Sequence, residues 1–231
     1  MNILAIDTAN NFLSLALYKD NLIYTIYEDI GNKQSEFILP KINQLLTEND
    51  TKLQDLTSIS YNAGPGGFTG LRISLSVAMS LAYSLKIPLH PVNMFAMYQN
   101  ALNTDTNSII ALDAKLGQIY LAGFYNNGEY LIEPQLINPE QLSSVLSEHN
   151  LINDNDTIIT GSGWMAYTEI FNQDVSLQNL QYVESSYPSA ATMINLVLSG
   201  KSQPCAAHEA ELLYLRNKVA LNLEEQKQSK Q

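Results

Sequence analysis

The chain has 231 residues, 45% of them hydrophobic and 15% charged, enough to bury a sizeable core as one domain or two small ones. A net charge of −11 makes it a poor polyanion binder on its own, and its single cysteine, Cys205, excludes an internal disulfide and fits a reducing compartment. No basic n-region opens the chain and no apolar stretch reads as membrane-spanning, so a cytoplasmic protein without a membrane segment is expected.

Ile3 to Ile6 reads as a buried strand ending at Asp7-Thr8. Asn10-Asn11 turns it, Phe12 to Tyr18 alternates as a second strand, Lys19-Asp20-Asn21 is a hairpin turn, and Leu22 to Glu28 is a third strand. Ser35 to Glu48 is helical, with Phe37, Ile38, Ile42, Leu45 and Leu46 on a broad apolar face and Pro40 in its first turns. Leu56 to Tyr61 is the next strand, and it runs into Asn62-Ala63-Gly64-Pro65-Gly66-Gly67-Phe68-Thr69-Gly70-Leu71-Arg72. Gly64, Pro65, Gly66, Gly67 and Gly70 make this a structural turn, in which glycine permits positive φ and close backbone approach. Thr69 is the expected N-cap of the helix that follows.

Free N–H groups at such a turn attract anions. The P-loop pattern fails, however, because Leu71-Arg72 follows Gly70, and G-x-G-x-x-G is out of register. Tight packing of the turn is the competing reading. From Ile73 to Leu85 the helix carries no charge, and serines and alanines interleave with Leu75, Val77, Met79, Leu81 and Tyr83. A helix apolar almost all round is buried on more than one side.

Three strands, helix, strand, helix is the order of a ribonuclease-H-like domain, and the pattern then restarts. Ser108 to Leu112 is a buried strand ending at Asp113, Gly117 marks the turn, Ile119 to Tyr125 pairs back, Asn126-Asn127-Gly128 is a hairpin and Tyr130 to Ile137 follows. Pro139 to His149 is a helix, Thr157 to Thr160 a strand, Gly161-Ser162-Gly163-Trp164 a turn, and helices follow at 164–171 and 189–198. The expected units are 1–102, carrying partner-binding helices, and 103–224, whose last segment packs back on the first, with a frayed tail at 225–231. The fold class is α/β: two ribonuclease-H-like domains in the actin, Hsp70 and sugar-kinase (ASKHA) architecture.

In that architecture ATP lies between the domains, held by an acidic residue at the end of each first strand and a Gly-rich turn. Asp7 with Thr8, Asp113, and Gly161 with Gly163 occupy those places as a vestigial nucleotide site. Thr8-Ala9-Asn10-Asn11 has no glycine to wrap a phosphate, so the same carboxylates also read as turn caps.

Ile3–Ala9, Gly64–Arg72, Leu112–Tyr120, Gly161–Trp164 and Tyr214-Leu215-Arg216, in this order, resemble the TsaB (YeaZ) family over residues 1 to about 220. The resemblance implies a non-catalytic paralogue of a TsaD-like enzyme, serving as its dimerisation partner beside a TsaE-like ATPase. The complex forms threonylcarbamoyladenosine next to the anticodon of tRNAs that read codons beginning with adenine. Gly67 stands where serine is usual and Gln34 replaces a histidine. No cofactor of its own is implied, ATP and metal belonging to the partner subunits.

The residues add their own reading. TsaD-like enzymes hold a metal with two histidines one helical turn apart, whereas His90, His149 and His208 are scattered, His90 and His149 reading as loop and helix-end residues and His208-Glu209 lacking the second histidine of H-E-x-x-H, so no metal site is expected. Cys205 has no local base, and no nucleophile elbow exists. A scaffold stands against an ATP-dependent transferase, kinase or metallopeptidase of the same superfamily. The scaffold reading places Phe37, Ile38, Lys41, Leu45, Arg72, Leu75, Met79 and Tyr83 at a partner interface, with Arg72 held by a carboxylate or a partner carbonyl. The alternative is that the C-terminal segment around Tyr214 covers this face. A homodimer can form when no catalytic partner is present, and tRNA is reached only through the complex.

Overall fold

All five residues of Ile3–Asp7 (β1) are buried, so this strand must be covered on both faces. The computed structural model describes residues 1–102, 105–152, 157–178, 180–184 and 187–216, and shows what covers it. Phe12–Lys19 (β2), Leu22–Asp29 (β3), Ser58–Gly64 (β4) and Leu89–Asn93 (β5) join β1 in one mixed sheet, ordered β3-β2-β1-β4-β5. Asn107–Lys115 (β6), Gln118–Phe124 (β7), Tyr130–Ile137 (β8), Thr157–Thr160 (β9) and Gln181–Tyr182 (β10) form a second, ordered β10-β9-β6-β7-β8. In each sheet the first three strands pair antiparallel and the last two add in parallel to the first. The internal repeat expected from Asp7 and Asp113 is therefore a repeat of topology.

The helices are Gln34–Glu48 (α1), Phe68–Leu85 (α2), Met94–Leu102 (α3), Leu142–Glu148 (α4), Ser162–Ala166 (α5), Thr168–Gln173 (α6) and Ala190–Leu198 (α7). Leu4 and Ile6 of β1 pack in a core with α1 and α2, while Ile3 and Ala5 face α3, α7 and the second sheet's Ile110 and Leu112. Ile109 and Ala111 face the opposite way, towards α4 and Phe171 of α6. The two-residue period of a strand thus splits each central strand between two cores. Two sheets alternate with three helical layers.

Several expectations are corrected. Gly67, not Thr69, is the N-cap of α2, because the helix starts at Phe68. That earlier start gives α2 18 residues, long and apolar enough by length and composition to cross a membrane, although Gly70, Leu71, Ser74, Ala78 and Ala82 are buried within the protein. Pro40, the seventh residue of α1, does fall in the first turns as expected, on the exposed side. The fourth strand runs on into Asn62-Ala63-Gly64. The helix expected at 164–171 starts at Ser162 and breaks at Tyr167. His90 lies in β5, a strand that Pro91 disguises in the sequence, and β5, α3 and the two-residue β10 were not expected.

The boundary at 102/103 and the tail at 225–231 fall at or within residues outside those described. The last described segment returns to the first sheet. α7 packs across β1, β2, β3 and β4, and Cys205 pairs with Leu89 beside β5. The turn Ala207–Glu209 lies on α2, and Leu213 N donates to Ala63 O at 2.7 Å.

Candidate functional site

Asp7 ends β1 and is 1% exposed. Its Oδ1 accepts from Ala9 N and from Asn62 Nδ2, both at 2.9 Å, and its Oδ2 accepts from Tyr187 Oη at 3.1 Å. Burial pushes the carboxyl above its ordinary range, although these three donors pull the other way. Burial, with Asp7 alongside, also raises the Tyr187 phenol, and Tyr98 next to it is pushed up to about 12, mainly by burial.

The glycine turn explains why Asp7 is shut in. Gly67 N donates to Ala9 O at 2.8 Å and Thr8 Oγ1 donates to Gly70 O at 2.8 Å, which locks the start of α2 onto the β1–β2 turn. A Cβ on Gly70 would stand 1.8 Å from Thr8 O, and one on Gly67 would stand 2.7 Å from Ala9 O. No other residue fits so close to that backbone. Of the two readings of this turn, close packing is the one the structure displays.

The second half repeats the device. Gly161 has φ +109°, and a Cβ there would meet Ala111 O at 2.3 Å; one on Gly163 would meet Ala111 at 3.0 Å. Ser162 Oγ accepts from Asp113 N at 3.1 Å. Asp113 is more open than Asp7. Its Oδ1 accepts from Lys115 N at 2.8 Å, Lys115 Nζ pairs with its Oδ2 at 2.5 Å, and Tyr167 Oη lies 3.4 Å away. That hydrogen bond and charge raise the exposed Lys115 ammonium above its ordinary range.

A cleft of about 650 Å³ opens between the halves. Its walls are the Ala9–Phe12 turn, Pro65–Phe68, Tyr98, Asp113–Leu116, and the strap Leu213–Arg216. Of the residues expected at a nucleotide site, Asp113 lines this cleft. Asp7, Thr8, Gly161 and Gly163 do not; they are spent on packing the two strand ends. The strap, part of the last segment expected to pack back on the first half, also reaches the second: Arg216 Nη2 donates to Lys115 O at 3.1 Å and to Gln118 Oε1 at 2.9 Å. Its signal in the sequence is Tyr214-Leu215-Arg216. Among the described residues no group of three His, Cys, Asp or Glu is placed to share a metal ion. His90 lies near Ser202 O, and burial lowers its pKa.

The outer face of α1 and α2 divides differently from expectation. Ile38 and Leu45 are each 2% exposed and belong to this chain's own core, because they project towards the first sheet. Phe37, Leu75 and Met79 are partly buried against that core, as are residues of the 205–212 segment, whose Ala207–Glu209 turn packs on α2. Lys41 pairs with Glu28 of β3 at 2.6 Å. Tyr83 is 79% exposed. Within the described residues Arg72, expected on a carboxylate or a partner carbonyl, meets no carboxylate: its Nε donates to Tyr214 Oη at 3.2 Å and its guanidinium stacks 3.8 Å from the Phe68 ring centroid.

Known proteins place this arrangement. The family model described as TsaD, tRNA N6-adenosine threonylcarbamoyltransferase, matches residues 28–221. The tRNA threonylcarbamoyladenosine biosynthesis protein TsaB of Escherichia coli is 30% identical over 234 residues, 95% of this chain and 96% of its own. The chain belongs to the TsaB (YeaZ) family. The TsaB of Buchnera aphidicola subsp. Schizaphis graminum is 32% identical over 87% of this chain and 95% of its own. A solved structure from Pseudomonas aeruginosa, of an uncharacterized protein with similarity to peptidase YeaZ, is 25% identical. It superposes with a TM-score of 0.77 over 93% of this chain and 99% of its own. In this TsaB-family chain Gln34 stays inside the first half, its Nε2 donating to Asn10 O and Gly31 O at 2.8 Å each.

Proposed function

We propose that this chain is a non-catalytic scaffold subunit in the biosynthesis of threonylcarbamoyladenosine on tRNA, acting in the cytoplasm. It pairs through the outer face of α1 and α2 with a TsaD-like catalytic subunit and works with a TsaE-like ATPase. It takes no cofactor of its own, and ATP and metal sit in the partner subunits. With a net charge of −11 it meets tRNA through the complex, and alone it pairs with a second copy.

The observation that carries this reading is the closed end of β1. An ATP-dependent enzyme of this architecture needs its first-strand carboxylate open to phosphate and metal. Here Asp7 has three protein donors and lies beneath the start of α2. The outer face of α2 supports the second half of the reading, because between Ile73 and Leu85 it carries no charge and leaves Tyr83 almost bare.

Reconstitution tests it. A TsaD-like subunit, a TsaE-like subunit, tRNA, ATP and threonylcarbamoyl donor are combined with and without this chain, and the modified nucleoside is measured by mass spectrometry. Product should require the chain and survive Asp7→Asn. Loss of product in a folded Asp7→Asn variant would instead support the enzymatic reading.

A further inference from the structure

Arg72 is the only charged residue between Phe68 and Leu85. It lies in the first turns of α2, where a cation opposes the helix dipole, and no acid accompanies it there. Among the described residues the ion pairs are Lys41–Glu28 and Lys115–Asp113, and Arg72 has none. The guanidinium is nevertheless held still. It stacks 3.8 Å from the Phe68 centroid, lies 6.0 Å from that of Tyr214, and spends its Nε on Tyr214 Oη. One face and one edge are fixed, and among the described residues no hydrogen bond reaches the two terminal amino groups. A braced guanidinium loses little freedom when it pairs, which is the condition for strong two-point recognition of a carboxylate.

We infer that Arg72, braced by Phe68 and Tyr214, is a preassembled docking point for an Asp or Glu carboxylate on a helix of the catalytic partner. The inference rests on the reading of α1 and α2 as the partner surface and goes beyond it by naming what the partner brings. Charge complementarity selects the occupant. Arg72 and the helix dipole both call for an anion at this end of α2, while the exposed Ser76, Ser80 and Tyr83 further along call for a neutral partner surface. A phosphodiester would meet the repulsion of a chain of charge −11. Arg72 is also continuous with the apolar surface of Phe68, 37% exposed, and Tyr214, 48% exposed, which suits a protein side of the same make-up.

The test measures the affinity of the purified full-length chain for the purified TsaD-like subunit of the same organism by titration calorimetry. Arg72→Gln should weaken it by about 10–100-fold, the range of hydrogen bonds to a charged group. Arg72→Lys keeps the charge but not the fork and should lie between the two. Arg72→Glu should bind worst, and a partner Asp or Glu→Lys change should restore it and so identify the carboxylate. Tyr214→Phe leaves Arg72 in place but frees its Nε, and a loss of about threefold keeps the inference testable should the Arg72 variants not fold. Tyr83→Glu separates the two readings. If it abolishes binding while Arg72→Gln stays within twofold, the docking point is overturned and the surface stands. If neither variant matters, the surface reading falls and the docking point with it. A change confined to self-association would assign Arg72 to a second copy, and one confined to tRNA binding by the assembled complex would assign it to phosphate; either overturns the inference.

Discussion

Gly70→Ala is the most direct test of how the strand end is closed. In an ordinary helix the change would stabilise by about 1 kcal/mol. Here the new Cβ would stand 1.8 Å from Thr8 O, and Gly70 O is also the acceptor of Thr8 Oγ1. The start of α2 must withdraw by about 1 Å or more to restore ordinary contact, an overpacking that costs about 3 kcal/mol. The same withdrawal breaks the Thr8 hydrogen bond, for about 1 kcal/mol more. The balance is a net loss of about 3 kcal/mol, which for a chain of this size lowers Tm by about 6–12 °C. Urea and thermal unfolding of the purified chain would measure it, with Ser76→Ala, exposed on the same helix, as a control expected to be neutral or slightly stabilising. A Gly70→Ala protein as stable as the parent would refute the argument that these glycines exist for backbone contact.

Asp7→Asn keeps the acceptor for Ala9 and Asn62 and can donate to Tyr187, so it should fold. Because burial raises the Asp7 pKa, the carboxyl's contribution to stability is lost as pH rises through that raised value. The variant's advantage over the parent should therefore widen from about pH 4 upward, and a margin that narrowed with rising pH in urea titrations would contradict this. Leu45→Ala should cost about 2–5 kcal/mol as a core truncation, whereas Tyr83→Glu should stay within about 0.5 kcal/mol in the same assay yet lose the partner. Arg216→Ala removes two hydrogen bonds from the strap and should destabilise by about 1–3 kcal/mol, with faster amide exchange at Lys115–Gln118; unchanged exchange there would deny the strap a role.

Much of the fold is legible because its signals are local. The buried runs ending at Asp7 and Asp113, and the hairpin turns at Asp20-Asn21 and Asn127-Gly128, mark both halves without help from distant residues. β5 is not legible, since Pro91 argues against a strand and only its edge position, closed by Cys205, permits one. The face of a helix is harder still. Phe37, Ile38, Leu45 and Met79 share an apolar character, and composition does not say which of them meets the sheet. The site is hard to read for a related reason. Asp7 and Asp113 look equivalent in sequence, but burial by α2 and by Tyr187, 180 residues away, separates one from the cleft and leaves the other on its wall.

The return of α7 to the first sheet has a consequence for how the protein is made. Residues 190–198 supply much of the cover for the inner face of β1 and β2, yet they are synthesised long after those strands. Until they are made, that face has α3 and the second sheet's Ile110, Leu112 and Phe124 to cover it, and the area that α7 takes stays open. The first half therefore cannot complete its inner core before α7 is made, and an apolar face left open in this way favours aggregation. A fragment ending at residue 102 should collect as aggregates rather than as a free-standing lobe. Supplying residues 187–216 on a separate peptide is the rescue this architecture predicts.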